Sequence, residues 1–297
     1  MDRRRFGKTG MDVSVLGFGG AEIGFNNTAQ SDVDRLLGAA IDAGLNILDT
    51  AECYKDSEAK IGRAVKDRRE EIYIFTKCGH NAGVLEGAED WDPKMLEMSI
   101  DRSLRNLQTD HVDLVQLHTC SSDVLLNGDV VEVLQKAKDQ GKTRFIGYSG
   151  DGQNAVTALN LEVFDAFQTS VNIADQECIS LTLPLAKKYG LGVIAKRPVA
   201  NAIWRRADEP VGDYGHSLWL RLQELSYSFL RSSEDIETAL RFTLAQDIHT
   251  AIVGTQKPGR WQENAELADL GPLPEDKVRE IRTRWAEVAQ PTWDGQS

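Results

Sequence analysis

Pro93-Lys-Met-Leu-Glu-Met-Ser-Ile-Asp-Arg-Ser-Leu-Arg-Asn-Leu107, followed after a short gap by Val112-Asp-Leu-Val-Gln-Leu-His118, spells one helix and one strand. Met95, Leu96, Ile100, Leu104 and Leu107 recur at the three-to-four-residue spacing of one helix face. The run 112–118 is short and dense in Val and Leu, as a strand buried on both faces is. The same alternation extends outward in both directions. Apolar runs occur at 15–19, 46–49, 72–77, 112–118, 144–149, 166–171, 192–196 and 251–254. They lie about 34 residues apart on average, the length of one strand plus its crossover helix. Helical patterns fill the intervals at 31–43, 93–107, 124–139 and 176–189, with Gly44, Gly141 and Gly190 closing three of them. Eight such units predict a closed (β/α)8 TIM barrel occupying 1–297 as a single domain; an open doubly wound sheet is the alternative.

Residues 3–19 read as a β-hairpin leading into the barrel, with its turn near Thr9-Gly10. Arg3-Arg4-Arg5-Phe6-Gly7-Lys8 superficially resembles a twin-arginine export signal, but Asp12, Glu22 and five glycines by Gly24 leave no apolar segment behind it. Of the 297 residues, 34 are Lys or Arg and 46 are Asp or Glu, a net charge of −12. So acidic a chain argues against nucleic-acid and anionic-membrane partners, which require clustered positive charge. No apolar run approaches the ~20 residues of a membrane span. Cys53, Cys78, Cys120 and Cys178 lack paired spacing and read as free thiols in a reducing cytoplasm. Neither the thiols nor His80 have metal-ligand spacing.

Three predicted strands end in ionisable residues, Asp49, Lys77 and His118. One charge at a strand end is the ordinary first solvated residue after a core. Three different ones in succession are another matter, because a parallel barrel gathers all its carboxyl-terminal strand ends at one mouth. Tyr54 follows closely enough to fold over the same mouth. An ammonium within ~4–6 Å favours a phenolate and lowers a phenol's pKa, and a carboxylate keeps that ammonium charged in a pocket. Asp49, Lys77 and Tyr54 thus compose an acid-activating relay, with His118 as a second donor to the same substrate oxygen. Tyr73 and Lys77 mimic a Tyr-x-x-x-Lys pair, but four residues of strand cover ~13 Å and separate them. Gly17-Phe-Gly19-Gly20-Ala-Glu22 lacks the third glycine of a dinucleotide fingerprint.

Gly44-Leu-Asn-Ile-Leu-Asp-Thr-Ala-Glu-Cys-Tyr54 with Ser57-Glu58 resembles the first signature of the aldo-keto reductases, and Met98–Leu107 with Asp113 and His118 resembles the second. Val253-Gly-Thr-Gln-Lys-Pro-Gly-Arg260 with Glu263-Asn264 is similar to that family's cofactor-binding stretch. The resemblance implies NADP(H) rather than NAD(H), a small-molecule carbonyl or alcohol substrate (aldehyde, ketone or sugar-like), and Asp49, Tyr54, Lys77 and His118 as catalytic residues. It implies Gly254, Thr255, Lys257 and Arg260 around the adenosine 2′-phosphate, with Glu263 and Asn264 on the adenine side. Ser149 and Gln168 would hold the nicotinamide carboxamide, Gly20 and Ala21 the nicotinamide side, and Lys196 and Arg197 the pyrophosphate. A guanidinium at a helix start suits such a phosphate. Trp91, Trp204 and Tyr214 are candidates for an apolar substrate wall.

Two positions depart from the family pattern: Gly150 where many members have Asn, and Lys55 where many have Gly. A sharper expectation makes Cys53, Cys78 and Cys120 an oxidant-sensitive rim to the pocket. The competing function is an NADP(H)-binding regulatory or sensor subunit with little turnover. Neither substrate identity nor oligomeric state is written in these motifs.

Overall fold

The computed structural model describes residues 1–295. A two-stranded antiparallel ribbon, β1 (Arg3–Arg5) and β2 (Asp12–Ser14), comes first. Eight parallel strands follow: β3 (Leu16–Gly19), β4 (Ile47–Asp49), β5 (Tyr73–Cys78), β6 (Val112–His118), β7 (Thr143–Ser149), β8 (Ala166–Ser170), β9 (Gly192–Lys196) and β10 (Thr250–Val253). They close into a barrel in the order β10-β3-β4-β5-β6-β7-β8-β9, so every predicted strand is present and the open sheet is excluded.

The hairpin plugs the barrel's amino-terminal end. Its turn is longer than a tight Thr9-Gly10 reversal: a 3-10 turn, Gly7–Thr9, closes at left-handed Gly10. Phe6, Met11 and Val13 pack on Ile47, Phe75, Leu114, Ala166 and Ile194, and the Phe6 ring stacks on Phe75 at 5.5 Å. Phe6 lies so close to β9 that a Cβ at Gly192 would meet its ring at 2.4 Å. With one end sealed by aromatic packing, the opposite end, where the strands finish, is the open one.

The helices form an outer layer against a continuous apolar core. The helix Pro93–Leu107 begins as its sequence requires: Asp92 Oδ1 accepts from Met95 N at 2.8 Å, Pro93 occupies the first turn, and Gln108 ends it in a left-handed conformation. Three helical stretches are broken. Gly128 (φ 91°) splits 122–139, Thr182 ahead of Pro184 splits 177–188, and left-handed Ser226 separates His216–Leu225 from Asp235–Leu244. A periodicity count passes over each break because the apolar stripe resumes on the far side. Among the described residues, no helix is long and apolar enough to cross a membrane.

Candidate active site

Sheet register assembles the open end. Gly19 pairs with Asp49, Lys77 with Gln116, His118 with Ser149, Ser149 with Gln168, and Ser170 with Lys196. Residues far apart in sequence thereby become neighbours in one ring. Lys77 Nζ donates to Asp49 Oδ1 at 2.5 Å and to the Thr50 carbonyl at 2.9 Å, both inside a fully buried setting. Burial alone would pull this ammonium down; Asp49, then Tyr54, outweighs it and holds Lys77 charged. Gln116 Nε2 and Gln168 Nε2 reach the Asp49 carboxylate at 3.5 and 3.4 Å, and Gln116 also donates to Gln168 Oε1 at 2.9 Å.

The segment after β4 turns Tyr54 back over this pair. Tyr54 N donates to the Ala51 carbonyl, and Ser57 N to the Tyr54 carbonyl. Ser57 Oγ meanwhile donates to Gly20 O at 2.8 Å and meets Thr50 Oγ1 at 2.9 Å. Lys77 Nζ lies 5.3 Å from the centre of the Tyr54 ring, and the His118 ring meets Tyr54 edge-on at 5.8 Å. One expectation changes sign. Burial raises the Tyr54 hydroxyl above the ordinary phenol value, and the opposing Lys77 charge does not reverse this. Lys77's hydrogen bonds go to Asp49 and Thr50; among the described residues none joins it to the tyrosine hydroxyl. Tyr54 is therefore a phenol with its proton in place. His118 moves the other way: burial first, then the charges of Lys77, His80, Lys196 and Arg197, keep its imidazole neutral.

The far side of the mouth is partly committed already. Asp151 is buried and takes Thr169 Oγ1 at 2.6 Å and Ser170 N at 2.7 Å. Lys196 Nζ, expected to face a pyrophosphate, lies 2.8 Å from Asp151 instead, because burial makes an unpaired ammonium costly there. The Arg197 guanidinium stacks on the Tyr214 ring at 4.7 Å. Gly150 has no room for asparagine: a Cβ would meet Tyr148 Oη at 2.6 Å, and that hydroxyl is anchored to the Cys120 carbonyl. Lys55 sits at φ 52°, a left-handed conformation that explains glycine at this place, and its ammonium leans over exposed Phe25 at 5.5 Å.

The parallel strands β3 and β10 end side by side, Gly19 on one and Gly254 just past the other. A Cβ on Gly254 would come within 3.3 Å of Gly19 O and 3.5 Å of Glu22 Oε1. Thr255 Oγ1 accepts from Lys257 N at 3.1 Å and shapes the turn into the helix Pro258–Asp269. Arg260 is half-exposed at that helix start, Asn264 is buried one turn later, and Ala21 opens the short helix Ala21–Phe25 just past β3. Backbone amides at a helix start and a half-exposed guanidinium together suit a phosphate-bearing nucleotide.

The model for "Aldo/keto reductase family" matches residues 15–286. The chain belongs to the aldo/keto reductase family. L-galactose dehydrogenase of Arabidopsis thaliana is 28% identical over 326 residues, covering 99% of this chain and 97% of that protein. An uncharacterised oxidoreductase of Bacillus subtilis is 26% identical, covering 95% and 96%. The holo form of an aldo-keto reductase from Bacillus halodurans superimposes with a TM-score of 0.82 at 27% identity, covering 96% of both chains. As an aldo-keto reductase, the protein is a nicotinamide-dependent oxidoreductase.

Several site residues of this reductase escaped sequence reasoning. Gln116 is the clearest, and its signal was present: Leu114, Gln116 and His118 alternate on one strand, so they share the inner face. The His80 ring, 5.2 Å from the His118 ring, comes from a loop and carries no spacing signal, whereas Cys53, expected at the rim, places Sγ 3.6 Å from His118 Nδ1. The oxidant-sensitive rim does not form: burial pushes the Cys53, Cys78 and Cys120 thiols all up, away from the thiolate that oxidants attack, and of the three Cys53 alone is not fully enclosed. Trp91 packs over Gly79 and beside His80, within reach of the mouth. Trp204 is turned elsewhere: its indole donates to Asp235 Oδ2 at 2.8 Å and packs with the Ile203, Leu218 and Leu222 cluster, which anchors its loop.

Proposed function

We propose that this aldo-keto reductase reduces an aldehyde, ketone or sugar-like carbonyl with NADPH, or oxidises the matching alcohol, with Tyr54 as general acid and base. The single observation that supports this most is the buried Lys77 ammonium, fixed between Asp49 and Thr50 and adjoining the Tyr54 ring. A protonated Tyr54 gives its hydroxyl proton to the substrate oxygen as charge develops there. The phenolate left behind is stabilised by the ammonium, which Asp49 in turn keeps in place. Neutral His118 hydrogen bonds to the same oxygen and orients the carbonyl. In the oxidative direction the same tyrosine takes the proton back.

Bound NADP(H) supplies or accepts the hydride. Arg260, Thr255, Lys257 and Gly254 would hold its 2′-phosphate, Glu263 and Asn264 the adenine side, and Gly20 and Ala21 the nicotinamide side. Ser149 and Gln168 would meet the carboxamide, and Arg197 the pyrophosphate. Trp91 forms one wall for the substrate. The sugar-like class draws support from the relative named L-galactose dehydrogenase.

The test is cofactor absorbance across a panel of aldehydes, ketones and sugars in both directions, with Tyr54→Phe alongside. Turnover by the wild type and a loss of ~10²–10⁴ in kcat in the variant, with NADPH affinity retained, are expected. Cofactor binding without turnover on any member would favour a sensor role instead.

A further inference from the structure

A neutral imidazole carries one hydrogen on two nitrogens, and only one arrangement lets His118 donate to a substrate oxygen. Its neighbours decide which. The His118 ring is held edge-on by Tyr54 at 5.8 Å and by His80 at 5.2 Å, and His80 is itself fixed by Asp90 Oδ2 at 2.9 Å. Only one polar atom among the described residues reaches a ring nitrogen: Cys53 Sγ, 3.6 Å from Nδ1. Burial pushes the Cys53 thiol up to about 12, so it keeps its hydrogen throughout the working range. Sulfur is a weak acceptor, whereas a bare imidazole nitrogen is a good one, so S–H donating to Nδ1 is preferred over Nδ1–H donating to sulfur.

We propose that Cys53 is a positioning residue whose thiol hydrogen bonds to Nδ1 of His118 and keeps the imidazole hydrogen on Nε2, the nitrogen left for the substrate oxygen. The proposal rests on the carbonyl-reducing reading of the site and adds the group that selects the tautomer. It also gives a thiol too basic to be a nucleophile a reason to touch the mouth. A methyl group at this position would leave both tautomers accessible. A hydroxyl would restore the donor.

The test combines a spectroscopic and a kinetic readout on the full chain. Histidine nitrogens are labelled with ¹⁵N, the His118 signals are assigned by their loss in His118→Gln, and wild type is compared with Cys53→Ala and Cys53→Ser. The expected wild-type spectrum shows Nδ1 bare and Nε2 protonated. Cys53→Ala should show mixed tautomers and a kcat lower by about three- to ten-fold, the worth of one modest hydrogen bond, with NADPH affinity unchanged. Cys53→Ser should recover the single tautomer and most of the rate. A wild-type hydrogen on Nδ1, or a Cys53→Ala protein matching wild type in both spectrum and kcat, overturns the proposal. If the wild type reduces no carbonyl at all, the enzymatic reading fails separately, and the wild-type spectrum still decides the role of Cys53.

Discussion

The two halves of the mouth are built on different principles. Around β4, β5 and β6, Asp49 and Lys77 are about 1% exposed and bonded to each other across adjacent strands. Around the helix Pro258–Asp269, Arg260 is 46% exposed and, among the described residues, its guanidinium is tied only to Glu263, one turn along the same helix, at 3.2 Å. A pair of the second kind is worth ~0–1 kcal/mol and exchanges readily for a better anion. A pair of the first kind cannot be exchanged, because removing either partner strands a charge in a dry interior. Sheet register thus fixes the Asp49–Lys77 pair before any ligand arrives, whereas Arg260 stands in solvent at a helix start.

Lys77→Met breaks this contrast hardest. The methionine fills the volume but leaves the Asp49 carboxylate buried without its cation. We expect a loss of ~3–5 kcal/mol in urea unfolding near neutral pH. Burial already raises Asp49 with Lys77 opposing it, and without that cation the carboxylate would titrate higher still, so the deficit should shrink as pH falls and Asp49 takes up a proton. Activity should fall at least ~10²-fold. Wild-type stability in the variant near pH 8 would mean that charge pairing does not organise the enclosed half.

Arg260→Ala probes the exposed half. Loss of a charge-assisted fork should weaken NADPH binding by ~10–100-fold while leaving NADH binding and thermal stability nearly unchanged. Calorimetry with both cofactors reads the difference. An equal loss for the two would remove the 2′-phosphate from the account.

How much of this was legible depends on what kind of contact carries it. The barrel could be read because each strand announces itself locally, and the convergence of Asp49, Lys77 and His118 follows from closure alone. The breaks at Gly128 and Ser226 were hidden by stripes that continue past them. The direction of the Tyr54 shift could not be read, since it is the difference between a desolvation cost and a Coulomb gain, and sequence gives only the second. Trp204 and Lys196 illustrate the same limit. Each was placed by its neighbours in the chain, whereas Asp235, at a helix start, and Asp151, in another loop, decide where they point.

Glu52 sharpens the comparison from inside the enclosed half, where its ion pair is long and its oxygens accept no hydrogen bond among the described residues. It is buried, and Arg102 Nη2 stands off at 3.9 Å. Burial, opposed by Arg102 and assisted by Glu58, raises its pKa to about 8 from the ordinary 4.5. The folded state therefore holds this proton more tightly than the unfolded chain does. Its contribution to stability is full below about pH 4.5, declines as pH rises, and is gone above about pH 8. Glu52→Gln keeps the shape and abolishes the titration. Compared with wild type, the variant should be within about 1 kcal/mol at about pH 5 and more stable by roughly 3–5 kcal/mol above about pH 8, because each pH unit between the two values is worth ~1.4 kcal/mol. Unfolding curves at the two pH values measure this directly. A difference that does not change with pH would show that Glu52 is solvated and that the enclosed half extends no further than Asp49 and Lys77.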